Sequence, residues 1–153
     1  MKQMQKEILL QILEQNHKDC SHFCKDINAK NIDFRLAEQT ASVGYIYRHI
    51  AETTNLIAQF FGYETDIEGT TMGQEDKGIQ YNLETSRMYF EDGYNTLKNL
   101  VVNTTDNEWL EEIDTTWFGR ISRIKLFSIL LFHNSHHCGQ ISSAILKGRK
   151  IAV

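Results

Sequence analysis

His133 and His137 stand four residues apart in a stretch that reads as helix. That spacing stacks both imidazoles on one face, one turn apart, where both can bind a single metal ion. The same stripe carries Ile129, Leu130 and Ile141, so the face points into a core. A third ligand must come from another helix. His49 is the best candidate, on the apolar stripe of an earlier helical segment and near its middle. Metal sites in helix bundles are built this way, from side chains on facing helices. Three histidines leave coordination positions open, as catalytic sites do and closed structural sites do not. Imidazole ligation suits zinc, nickel, copper or iron. The plainer alternative is a set of hydrogen-bonded core histidines, although burying two imidazoles side by side needs two sets of partners.

Glu52 lies three residues after His49 and shares its face. It is the candidate catalytic residue, as a base on bound water or as an acceptor for an imidazole N–H. A solvent-facing helix glutamate is the simpler alternative. His17, Cys20 and Cys24 share a face of the first helix and form a rival metal site, since thiolate and imidazole together suit zinc. Two small thiols buried in a helix stripe explain the pattern as well, with His17 at the pocket opening. His136 falls on a different face from the pair and is read as a packing or surface residue, at a subunit contact if there is one. Tyr45, Trp109 and Trp117 are read as core aromatics. Gly69–Gly73 is no phosphate cradle, because it lacks a Gly-Lys-Ser/Thr ending and follows a helix.

These residues need long helices to position them. The chain has 153 residues, room for one domain over 1–153 and no second core. It contains no proline, which favours uninterrupted helices. Apolar periodicity predicts helices over 2–25, 41–61, 78–102 and 120–147. Thr40 or Ser42 caps the start of the second, and Gly62 its end. Residues 32–39 form an extended connection, and 109–118 a short irregular hairpin. The fold class is therefore all-α, an up-down four-helix bundle with a longer irregular crossover before the last helix.

The net charge of −4 argues against nucleic acid or an anionic membrane as partner. The apolar run Ile8–Leu10 is too short for a signal peptide, and no run is long enough to span a bilayer. Three unevenly spread cysteines make no disulfide framework. A cytoplasmic, reducing setting is the expectation.

The segment His133-Asn134-Ser135-His136-His137-Cys138-Gly139-Gln140-Ile141 resembles the C-terminal motif His-x-x-His-His-Arg-Gly-Gln-Ile of the DinB/YfiT superfamily of small metal-binding four-helix bundles. Ser42 to Glu52 resembles that superfamily's second-helix segment, which carries its first histidine. The resemblance implies His49, His133 and His137 as ligands of one divalent metal ion, nickel or zinc first, then iron or manganese. It implies a homodimer and a small-molecule substrate, in some members with a low-molecular-weight thiol. The reaction implied is a metal-dependent thiol S-transferase or a hydrolase. A metal-binding stress or accessory homodimer without turnover is the alternative. Cys138 departs from the motif, standing where arginine is usual. That loses a rigid five-donor fork.

Overall fold

The computed structural model describes residues 2–152. It is mostly helical, with α1 (Lys2–Cys24), α2 (Val43–Phe60), α3 (Leu83–Asn103), α4 (Asp106–Leu110) and α5 (Arg123–Lys147). Four short strands, β1 (Phe34–Arg35), β2 (Glu112–Thr115), β3 (Gly119–Ser122) and β4 (Arg149–Lys150), form two antiparallel pairs. β1 pairs with β4 and β2 with β3. No described helix is long and apolar enough to cross a membrane. Both α1 and α2 pack against α3 and α5. The core between them holds Ile50, Ile57, Phe90, Leu97, Leu126, Phe127, Leu130 and Ile141.

The second helix starts at Val43, with the Ser42 hydroxyl accepting from the Tyr45 N–H at 3.3 Å. Gly62 closes it at φ +91°, a conformation that favours glycine. The third helix begins at Leu83, not Gly78. Gly78 sits at φ +77°, and Asn82 is the cap whose side chain accepts from the Thr85 N–H. Gly93, a residue that weakens an isolated helix, has a packing reason here. A Cβ added at Gly93 would lie 2.7 Å from Thr54 Cγ2, so glycine is what lets α3 approach α2.

The crossover is more regular than a lone hairpin. Thr105 and Glu108 form a capping box that starts α4, and Trp109 from that helix is buried between Phe61 and Phe127. The β2–β3 hairpin follows. Because Gly119–Ser122 pairs with β2, the last helix starts at Arg123 instead of Arg120. Trp117 is 42% exposed at the hairpin turn and lies edge-on to Phe60.

A buried ion pair fixes the segment after α2. Arg35 Nη2 lies 2.6 Å from Asp76 Oδ2, with both side chains almost fully covered. The same carboxylate accepts from the N–H groups of Ser42 and Gly78. Asp76 therefore ties the irregular stretch 61–82 to β1 and to the start of α2.

Candidate metal centre

His49 on α2 and His133 and His137 on α5 come together across the α2–α5 interface. One ligand atom from each lies within 4.8 Å of the others, and all three residues are half-buried. Ring centroids are 4.4 to 5.0 Å apart. His49 Nε2 and His133 Nε2 lie 3.1 Å apart.

Which nitrogens carry protons follows from the groups behind the rings. His49 Nδ1 faces Thr71 Oγ1 at 3.2 Å. That hydroxyl has one proton, and it goes to Glu52 Oε2 at 2.7 Å. Thr71 therefore accepts from His49, whose Nδ1 bears the hydrogen.

His133 Nδ1 faces Asn134 Oδ1 at 3.2 Å. The amide is oriented by a buried network. Asn134 Nδ2 donates to Thr54 Oγ1 at 3.1 Å and to Tyr94 Oη at 3.2 Å. Thr54 spends its proton on the Ile50 carbonyl, and Tyr94 spends its own on Asn16 Oδ1 at 2.6 Å. Asn134 Oδ1 is thus left as the acceptor, and His133 Nδ1 carries the hydrogen. The network joins α1, α2, α3 and α5, so four helices set the orientation of one ring.

His137 Nδ1 faces Gln140 Oε1 at 2.7 Å, and Gln140 Nε2 faces the exposed His136 ring at 3.3 Å. The third Nδ1 is also a donor. Each ring is then left with an unprotonated Nε2, and those of His49 and His133 face each other. Lone pairs facing at 3.1 Å repel unless a cation lies between them. Two nitrogens bound about 2.0–2.1 Å from one tetrahedral ion sit about 3.4 Å apart, close to what is seen. Electrostatics point the same way. Burial, followed by the charge of neighbouring His137, pushes His49 down to about 4 and His133 to about 3, and burial lowers His137. Neutral imidazoles are the metal-binding form.

Glu52 is not the solvent-facing alternative, because it is 1% exposed. It accepts three hydrogen bonds, from Thr70 Oγ1 at 2.7 Å, Thr71 N at 2.9 Å and Thr71 Oγ1 at 2.7 Å. The loop that looked chemically idle in sequence folds its two threonines onto this carboxylate. Thr71, Asn134 and Gln140 are the residues that spacing did not single out. Gln140 carried a signal, three residues after His137 on the same helix. Thr71 carried none, since it lies 22 residues from His49 in irregular chain.

His49 and His137 open onto a cavity of about 430 Å3 between α2, α5 and the segments 36–41 and 71–74. Tyr45 is both core and cavity wall. It is 7% exposed, lines the cavity, and donates to the carbonyls of Thr71 and Gln74.

The rival site does not assemble. Among the described residues, the three-histidine group is the one set of three or more His, Cys, Asp or Glu placed to hold a metal. His17 stacks on Tyr94 and pairs with Glu91 at 3.0 Å, away from the cavity opening. Cys20 and Cys24 are buried thiols on α1 against Cys138, whose sulfur is 3.9 Å from that of Cys24. Cys138 therefore packs between α1 and α5 and contributes nothing to the site. His136 is a surface residue stacked on Phe132.

No curated protein matches the chain. The family model described as "DinB family" matches residues 1–148, and over that length the chain belongs to the DinB family.

Proposed function

We propose that the chain holds one divalent metal ion at His49, His133 and His137 and is a metal-dependent enzyme of the thiol S-transferase or hydrolase type. The observation that carries this reading is the convergence of three half-buried imidazoles, each with its Nδ1 held by a hydrogen bond behind the ring. The four long helices are read as an up-down bundle, whose α2–α5 interface supplies the ligands.

A bound divalent ion would supply Lewis acidity at this point. The chain's own residues do the rest. Glu52 acts through Thr71 to aim His49, and so is a positioning residue in this reading. The Asn134 network aims His133, and Gln140 aims His137. Ile46, Tyr45 and Ala144 form an apolar wall beside the ligands. A cavity reaching two of the three ligands favours turnover over a closed site in a non-catalytic accessory protein. The remaining parts of the reading are a homodimer, a cytoplasmic setting, and nickel or zinc as the resident ion. Exposed Phe132 and Phe23 are available for a subunit contact.

The test loads the protein with zinc or nickel and offers it an electrophile and a hydrolysable ester, with and without added thiol. Thiol-dependent consumption of the electrophile supports the transferase form, and thiol-independent cleavage supports the hydrolase form. No turnover in either assay contradicts the enzyme reading.

A further inference from the structure

Tyr45 stands one turn before His49 on α2 and Glu52 one turn after it, so the three share a face. Residues 71–74 form a turn beside that face. The Gln74 N–H donates to the Thr71 carbonyl at 3.4 Å, and Gly73 takes φ +64°. The carbonyls at both ends of this turn meet one hydroxyl, that of Tyr45, at 3.1 Å for Thr71 and 2.6 Å for Gln74. The turn in its place holds Thr71 Oγ1 at 3.2 Å from His49 Nδ1. The chain on either side is tied separately. Glu52 accepts from Thr70 and Thr71, and Asp76 accepts from the N–H groups of Ser42 and Gly78 while pairing with Arg35.

We propose that Tyr45 is a positioning residue of the metal centre, its hydroxyl holding the 71–74 turn where Thr71 can accept from His49. The proposal rests on the metal-site reading above and extends it to a residue that is not a ligand. Without the hydroxyl, the Gln74 carbonyl loses its partner beside a 7% exposed ring, and the Thr71 carbonyl keeps only the Gln74 N–H. A carbonyl left unpaired against hydrocarbon is costly, so the turn shifts toward water. Thr71 Oγ1 then moves out of reach of His49 Nδ1, and His49 can carry its proton on Nε2 instead. Glu52 and Asp76 still hold the flanking chain, so the change is confined to the turn. Gln74 also lines the cavity, so one hydroxyl governs both its rim and the aim of a ligand.

The test is Tyr45→Phe, which keeps the ring as cavity wall and removes only the hydroxyl. Two readouts decide it. In metal-free protein, ring-nitrogen NMR shifts of His49 report its tautomer. Wild type should be mainly Nδ1-protonated, and the Nε2-protonated share should rise in the variant. In zinc titrations against a chelating dye, Tyr45→Phe should weaken affinity about fivefold, the worth of one neutral hydrogen bond. If the hydroxyl acts through Thr71, the Tyr45→Phe/Thr71→Val double variant binds zinc no more weakly than Thr71→Val alone. Tyr47→Phe is the control. That buried tyrosine lies two residues on, on the opposite side of α2 against Phe90, and its loss of a hydroxyl should move neither readout. An unchanged His49 tautomer in Tyr45→Phe overturns the proposal. So do additive losses in the double variant, or an equal effect of Tyr47→Phe. Wild-type protein that binds no zinc would count against the metal reading alone, and the metal-free tautomer measurement would still decide the role of Tyr45.

Discussion

The Nδ1 of His49 and the hydroxyl of Thr71 lie 3.2 Å apart, and the direction of that hydrogen bond is fixed by a third residue. Glu52 claims the Thr71 proton, so the hydroxyl accepts from the ring. A buried carboxylate thereby sets the tautomer of an imidazole it does not touch. The free Nε2 is left facing His133.

Replacing Thr71 with valine keeps the shape and removes the relay. His49 is then free to place its proton on Nε2, which blocks ligation. Metal affinity should fall about 10- to 100-fold, the usual cost of losing a partner behind a metal-bound histidine. Competition with a chelating dye measures this. Unchanged affinity would mean that Thr71 does not orient the ring.

Glu52→Gln separates positioning from proton transfer. An amide oxygen can still accept from Thr71, but less strongly than a carboxylate. If Glu52 acts through Thr71, the variant loses metal affinity and turnover together, by a similar factor. If Glu52 is a base at the reacting atoms, turnover falls while metal affinity holds. Measuring both quantities on one preparation distinguishes the two roles.

The metal-free protein should weaken in mild acid. In the unfolded chain these imidazoles take up protons near the ordinary histidine value of about 6.5. In the fold, burial delays this for His49 to about 4 and for His133 to about 3. Below pH 6.5 the unfolded state binds more protons, so stability falls with falling pH. The fall levels off once the folded histidines also titrate. Urea midpoints from pH 7.5 to 3 should show this slope for wild type and a smaller one for His133→Leu. Equal slopes would contradict the assignment.

Gly93→Ala tests packing against propensity. Alanine in a helix interior gains about 1 kcal/mol over glycine when nothing is in the way. Here the new methyl would meet Thr54 at 2.7 Å and Asn55 Nδ2 at 3.1 Å. Overpacking should win, with a net loss of about 1–3 kcal/mol in thermal or urea unfolding. A stabilised variant would show that α2 and α3 can part without cost.

The three histidines were legible because helical periodicity puts i and i+4 on one face, and because His49 sits in an apolar stripe. The long helices were legible for the same reason. Their ends were less so. α3 starts late because Gly78 takes a positive φ and Asn82 supplies the cap, details that apolar spacing does not encode. α5 starts late because Ile121 is buried in a strand, although its spacing also fits the helix behind it. The Thr105–Glu108 capping box was present in the sequence but reads as a turn when only breaker residues are weighed. Glu52 was visible as a residue and not as a role. Its partners lie 18 and 19 residues away in irregular chain, where no period relates them. At Cys138, α5 packs on α1 through small buried side chains: its sulfur lies 3.9 Å from that of Cys24, and Cys20 is buried beside it.

The most direct measurement is metal content by elemental analysis of tag-free protein, with wild type beside His133→Ala. The account predicts about one divalent ion per chain in wild type, consistent with three ligands and an open position. It predicts loss of that ion in the variant, with the fold retained by circular dichroism. Wild-type protein that holds no metal after reloading with zinc, nickel and iron would contradict the account.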